Sequence, residues 1–229
     1  MTFVSMLLTS FIAVICGLDR MAAFQLMLSR PIVAGPLTGL VLGEPLIGLQ
    51  AGMLVELLWL GRLPVGASIP PDDTQIAIGG TFLSVAFASP EIATPVTIVF
   101  CLIIAIPLAK CGQFFDRMAR RANDHMAKRV AQNVLTGDLS SVDRLHLVGI
   151  GHFAVASLMT FVVVAGVGSV VCLISMPYFA PMLIAPLHWL QLAFILVGAS
   201  MILSSINVSR ATTLFGASFV SSFLMLWLL

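Results

Sequence analysis

The sequence predicts an all-α, polytopic membrane protein with broken or re-entrant helices and an amphipathic cytoplasmic helical arm. Three observations lead there. Of the 229 residues, 59% are hydrophobic and only 9% are charged, whereas a soluble domain carries about 25% charged residues. Apolar stretches near the length of about 20 residues needed to cross a bilayer recur along the chain. The charge is gathered in one place: positions 110–144 hold eleven of the twenty-one Lys, Arg, Asp and Glu residues.

The elements follow in order. Thr2 to Leu18 is a slightly short apolar helix that ends at Asp19-Arg20. It has no positively charged leading region and no small-residue cleavage motif, so it reads as a retained helix rather than a signal peptide. Pro31 to Leu60 is long but broken by Gly35, Pro36, Gly39, Gly43, Glu44, Pro45, Gly48 and Gly52. Leu63 to Gly80 is polar for its position and contains Pro64, Pro70, Pro71, Asp72 and Asp73. Thr81 to Ser89 is apolar but too short to span alone. Ile92 to Ala109 is a clean span, and Leu147 to Met176, Met182 to Ile206 and Ala211 to Leu229 supply three more.

Between the spans Ile92 to Ala109 and Leu147 to Met176 lies the charged segment. Its seven basic residues (Lys110, Arg117, Arg120, Arg121, Lys128, Arg129 and Arg144) outnumber its four acidic ones, and the positive-inside rule places such a loop in the cytoplasm. Phe115, Met118, Ala122, Met126 and Val130 recur at spacings of three and four and share a helix face. This predicts either a helix lying on the membrane surface or a docking surface for a cytoplasmic partner. Thr136-Gly137 ends it, and Ser140 to Asp143 has the pattern of a capping box for the next helix.

Several function classes are excluded. A net charge of +1 gives no basic excess for nucleic acid. Cys16, Cys101, Cys111 and Cys172 are scattered, which fits small core residues better than a zinc site or disulfide framework. His125 falls in the charged helix, and His146, His152 and His188 lie at or within apolar segments with no Cys or Asp at metal-ligand spacing. No phosphate loop, H-E-x-x-H or G-x-S-x-G motif occurs. Neither a catalytic group nor a cofactor is expected.

Two features break the pattern of a plain bundle. Gly35, Gly39 and Gly43, and again Gly48 and Gly52, stand four apart and allow close helix packing. Glu56 lies within Met53-Leu54-Val55-Glu56-Leu57-Leu58-Trp59-Leu60. An acid at the bilayer centre costs about 2.5–3.5 kcal/mol on insertion scales, so it must face an ion pair, a cavity or a polar ligand. In 61–75, consecutive prolines forbid a regular helix. Such backbone persists at membrane depth only where protein or a water-filled cavity covers it. Asp72, Asp73, Thr74 and Gln75 would line that cavity and offer acceptors and donors to a polyol. The alternative is an ordinary loop outside the membrane, for which Pro-Pro-Asp-Asp is good turn chemistry.

The segment from Gly39 to Asp72 carries Val41-Leu42-Gly43-Glu44, Glu56-x-x-x-Leu60-Gly61 and Val65-Gly66-Ala67-x-x-x-Pro71-Asp72. It resembles the IIC subunit of mannose/fructose/sorbose-type phosphotransferase-system sugar permeases. Arg30-Pro31, Ile106-Pro107-Leu108-Ala109 with Gly112-Gln113, and Ile206-Asn207-x-x-Arg210 extend the resemblance in the same order over nearly the whole chain. Met27 stands where the family carries a glutamine, with Gln25 farther from Arg30-Pro31. The resemblance implies one membrane domain over 1–229, with a sugar-binding core at 31–90 and a cytoplasmic arm at 110–144. It implies hexose binding by Glu56, Gly66, Pro71 and Asp72, to which Asp73 and Gln75 are added by proximity. It also implies a IID membrane partner, soluble IIA and IIB proteins with the phosphoryl donor on IIB, a homo-oligomer of IIC–IID pairs, and residence in the bacterial inner membrane. The rival expectations are a non-transporting scaffold or sensor, and a cation pathway at Asp72 and Asp73.

Overall fold

The computed structural model describes residues 3–60, 69–135, 142–205 and 210–228. Among them the chain forms nine α-helices and no β-strand. Three helical stretches, Phe3–Met21, Thr94–Leu135 and Val142–Leu183, are long and apolar enough to cross a membrane. The protein is accordingly an all-α, multi-pass membrane protein.

Helix α1 (Phe3–Met21) turns Thr9, Ala13, Cys16 and Gly17 inward. Phe3, Val4, Leu7, Leu8 and Phe11 remain exposed on its outer side, as suits a lipid-facing surface. The stretch Pro31 to Leu60 resolves into two short helices, α2 (Pro31–Leu42) and α3 (Pro45–Trp59). At about 18 and 22 Å, each falls short of the roughly 30 Å hydrocarbon core. They fold back on each other through Gly43, whose φ of 82° caps α2 in the left-handed region. Their interface is built from glycine. A Cβ at Gly35 would fall on the Gly48 carbonyl oxygen, and one at Gly48 on the Gly35 carbonyl oxygen.

Helix α4 (Asp73–Ala86) is the centre of the molecule. Every residue from Thr74 through Ser84 is buried, so it contributes to both hydrophobic clusters. Ile78, Phe82 and Leu83 join one, and Ile76 and Ala77 the other. It begins earlier than the apolar stretch Thr81 to Ser89 suggests, because Asp72 caps its first turn. Helix α5 (Thr94–Leu108) packs beside it through Val96, Val99 and Leu102.

Helices α6 (Cys111–Leu135) and α7 (Val142–Phe179) form a long antiparallel pair. At 38 residues, α7 is longer than the roughly 20 residues that the hydrocarbon core needs. Its first part packs against α6. One expectation about the arm changes here. Helix α6 packs against α7. The inward seam runs through Gly112, Asp116 and Ala119, while Met118 is 53% exposed. The apolar period placed the face about a fifth of a turn away, because two of the seam residues, Asp116 and Asn123, are polar; Met126 and Val130 of that face still line the groove between α6 and α7. Asn123 donates to the Gly149 carbonyl at 3.1 Å and lies 2.7 Å from His152 Nδ1.

Helices α8 (Leu187–Ser205) and α9 (Ala211–Leu228) close the described chain. Cys16, Cys101 and Cys172 are buried as free thiols, and Cys111 is half-buried. Thr136-Gly137, Ser140 and Ile206-Asn207 lie outside the described residues.

Candidate functional site

Asp19 and Arg20, adjacent at the end of α1, hold different parts of the chain. The Asp19 carboxylate is buried and accepts from the backbone N–H groups of Leu26 at 2.6 Å and Ser29 at 3.0 Å. These bonds close a turn in which Phe24, Gln25 and Met27 take φ values of 65°, 52° and 63°. Non-glycine residues adopt that region at a cost of roughly 1–2 kcal/mol each, so the carboxylate is what holds the turn in shape. The turn delivers Ser29 and Arg30 to the same region as Arg20.

Arg20 reaches the proline-broken linker. Its Nη1 lies 2.5 Å from Asp72 Oδ1, and its Nη2 lies 3.4 Å from Asp73 Oδ1. The same Nη2 donates to the Pro71 carbonyl at 2.9 Å. On the other flank, Gln113 Nε2 donates to the Ile69 carbonyl at 2.8 Å. Irregular backbone near a bilayer needs such partners, since lipid offers none. Asp72 also caps α4, because its Oδ1 accepts the Gln75 N–H at 3.1 Å. Thr74 Oγ1 donates to the Ser29 carbonyl at 2.7 Å and ties this cap to the α1–α2 turn.

Glu56, toward the end of α3, is 8% exposed. It pairs with Arg30, and its second oxygen accepts the Ile32 N–H at 3.3 Å. Arg30 immediately precedes α2, so the carboxylate also faces the positive end of that helix. The isolated acid seen in the sequence therefore has a cation and a backbone donor, both brought by a segment 24 to 26 residues upstream.

These groups surround a cavity of about 880 Å³, in the range of small-molecule sites. Its walls come from the end of α1, the Ser29-Arg30 turn, Trp59, residues 69–74, and the facing sides of α6 and α7. The ionic groups on the wall are Arg20, Arg30, Arg120, Asp72, Asp73 and Asp116. Arg120 Nε donates to Asp116 at 2.9 Å, and its guanidinium lies 5.9 Å from the Phe153 ring centre. Balanced charges with Ser157, Thr160 and two aromatic rings make a polar, nearly neutral chamber.

The residues selected from the sequence fall into four places. Pro71, Asp72 and Asp73 are on the cavity wall. Glu56 stands behind Arg30, which is on the wall. Gln75 is fully buried and points the other way, donating Nε2 to the Ala13 carbonyl at 2.9 Å. Gly66 lies outside the described residues. The sequence reading missed Arg20, Asp116 and Arg120 as wall residues. Asp19-Arg20 served there only as a helix end, although a buried acid beside an arginine at the close of an apolar span is itself a signal. Among the described residues, no group of His, Cys, Asp and Glu could hold a metal ion.

A family model described as the sorbose-specific IIC component of the phosphotransferase system (PTS) matches residues 3–227. The PTS system mannose-specific EIIC component of Escherichia coli K12 is 29% identical over 149 residues, covering 64% of this chain and 52% of that protein. The PTS system sorbose-specific EIIC component of Lacticaseibacillus casei is 33% identical over 106 residues, covering 45% of this chain and 36% of that protein. The chain thus aligns with about half or less of the length of these two relatives. Among solved structures, a chain of the mannose transporter ManYZ in complex with microcin E492 matches 97% of this chain and 87% of its own length. Its TM-score is 0.62 at 23% identity, a likeness of fold.

Proposed function

We propose that this chain, which belongs to the sorbose-type IIC family of the phosphotransferase system, is the permease subunit that binds a hexose and carries it inward for phosphorylation. The observation that carries this reading is the cavity at the capped start of α4, where Asp72 and Asp73 face Arg20 across a proline-broken linker. Each sugar hydroxyl both donates and accepts, so a wall of paired carboxylates and guanidinium groups suits a neutral polyol. Trp59 and Phe153 offer apolar faces to the sugar's C–H surface. A cation site would instead favour carboxylates without this many arginines.

In this reading Pro71, Asp72 and Asp73 contact the sugar. Glu56 is a positioning residue that sets Arg30, and Gln75 holds α4 against α1. Gly66 belongs to the same loop. The core at 31–90 shifts relative to the longer helices with its sugar, an elevator-like movement, and the arm at 110–144 stays cytoplasmic. The partners are a IID membrane subunit, with which the chain forms a homo-oligomer of IIC–IID pairs, and soluble IIA and IIB. The phosphoryl donor is on IIB, so the chain needs no catalytic residue and no cofactor of its own. The family match favours this permease over the non-transporting scaffold.

The test is hexose binding and uptake by the reconstituted IIC–IID pair across a sugar panel. A saturable site for one or more hexoses, weakened at least tenfold by Asp72→Asn, is expected. A folded pair that saturates with no hexose overturns the reading.

A further inference from the structure

Three arginines stand on the cavity wall, and they are held differently. Arg20 uses both terminal nitrogens on Asp72, Asp73 and the Pro71 carbonyl. Arg30 gives Nη2 to Glu56. Arg120 is held side-on instead. Its Nε donates to Asp116 at 2.9 Å, and its guanidinium lies 5.9 Å from the Phe153 ring centre. Its Nη2 reaches the Met21 sulfur at 3.8 Å, and a thioether is a weak acceptor. Among the described residues neither terminal nitrogen of Arg120 has an oxygen partner. These two nitrogens are a fork of the kind that binds phosphate or carboxylate through two parallel bonds. Asp116 and the Phe153 ring fix its plane in advance, so little freedom is lost when it binds. Half of the side chain is exposed.

The place of this fork relative to Asp72 follows from the helices. A Cβ at Gly112 would meet Asp72 Cβ at 3.2 Å and the Thr160 methyl at 3.0 Å. Asp72 therefore stands level with Thr160 on α7, whereas Arg120 stands level with Phe153. These levels are about 10 Å apart along α7, and Gly112 and Arg120 about 12 Å apart along α6. The Arg120 side chain leans back one turn to Asp116, as long side chains do in helices, and shortens the gap. A sugar ring at Asp72 and Asp73 thus has the Arg120 fork beyond its far edge. The volume agrees. About 880 Å³ suits a drug-sized ligand, and a lone hexose is smaller than that. The wall is balanced in charge, so an anion is favoured here by directed donors rather than by net charge.

We propose that the α6–α7 end of the cavity is an anion subsite, in which Arg120 binds the exocyclic phosphate or carboxylate of a sugar whose ring is held at Asp72 and Asp73. The inference rests on the permease reading above for the place of the ring. It adds a residue that separates anionic from neutral sugars. Phosphate and carboxylate share the paired oxygens that the fork requires. The first would come with a phosphorylated product and the second with an imported sugar acid.

The test uses the reconstituted IIC–IID pair, with binding of a hexose, its 6-phosphate and the matching hexuronate measured separately. At least one anionic sugar should bind, and Arg120→Gln should weaken it at least tenfold more than it weakens the hexose. Arg120→Lys keeps the charge without the fork and should recover only part of that loss. Arg117→Gln removes a charge from the same helix away from the cavity wall and should change each affinity less than twofold. Preference for the 6-phosphate supports the subsite as one for a product, and preference for the uronate supports it as one for a substrate. Equal losses for hexose and anionic sugar overturn the proposal, as does a pair that binds hexose and neither anionic sugar. If Arg120→Gln fails to fold, the lysine variant decides by the same comparison, with at least a threefold difference expected. A pair that binds an anionic sugar through Arg120 but no neutral hexose supports the subsite and overturns the permease reading as stated. A folded pair that binds none of the three overturns both.

Discussion

Arg20 and Asp72 meet at 2.5 Å, and this pair joins the end of the first helix to the cap of the most buried one. The two residues are distant in sequence, yet each makes a further bond within 3.1 Å: Arg20 holds the Pro71 carbonyl and Asp72 holds the Gln75 N–H. The linker between α3 and α4 is thereby fixed to α1 on one side, and by Gln113 to α6 on the other. A change in the cavity at this point is felt by three helices at once.

Asp72 has two roles that substitution can separate. Asparagine is as good a helix cap as aspartate, whereas alanine loses about 0.5–2 kcal/mol at such a position. Asp72→Asn should keep the thermal midpoint within a few degrees while lowering hexose uptake at least tenfold, because Arg20 loses its nearest counter-charge. Asp72→Ala should lower both. Thermal melts and uptake in proteoliposomes check this, and equal uptake by the asparagine variant and the parent would remove the charge from the mechanism.

Glu56 is predicted to act through Arg30. Glu56→Gln leaves the half-exposed Arg30 without its carboxylate, and Arg30→Gln leaves Glu56 with only the Ile32 N–H. Each single change should weaken sugar binding about tenfold. If the two residues work as a unit, the double variant should be no worse than the poorer single one, since coupled partners do not add. Additive losses in a double-mutant cycle of hexose affinity would mean that Glu56 touches the sugar independently.

The fold was largely legible because its signals are local. Apolar length marks the spans, the glycines four apart mark the α2–α3 contact, and Gly43-Glu44 marks where that stretch breaks. The site was half legible. Pro71, Asp72 and Asp73 advertise themselves as polar groups in an apolar context, and they line the cavity. The direction of a side chain is not local. Gln75 is three residues from Asp72, and the helix that Asp72 caps turns it away from the cavity and toward Ala13. Glu56 looks unpaired because Arg30 is remote in sequence and arrives only when α2 folds back on α3. The arm was partly legible for a related reason: Met126 and Val130 face the α6–α7 groove, but the seam includes Asp116 and Asn123, which an apolar period passes over.

Asn123 is the polar lock of that arm. Its amide donates to Gly149, and its oxygen faces His152. Asn123→Ala leaves two groups of α7 without their partner, at about 1–3 kcal/mol if they stay dry. The expected result is local rather than global. Hydrogen exchange should accelerate in residues 111–135 and 142–153, with the exchange of α4 unchanged. Uniform acceleration throughout the chain would show that the arm and the membrane helices unfold as one unit.

The glycine contact between α2 and α3 makes the sharpest structural prediction. A methyl group at Gly35 or Gly48 would land on a backbone carbonyl of the opposite helix, and a backbone cannot rotate aside as a side chain does. The helices must separate, so Gly35→Ala and Gly48→Ala should each cost about 1–3 kcal/mol or more, even though alanine is the better helix former by about 1 kcal/mol. Gly216 in α9 provides the opposite case, since a Cβ there meets nothing within 4 Å. Gly216→Ala should leave stability unchanged or raise it slightly. Thermal melts of the three variants in one detergent decide the matter. If Gly35→Ala proves as stable as Gly216→Ala, the two short helices do not touch backbone to backbone, and the hairpin that carries Arg30 and Glu56 would have to be arranged differently.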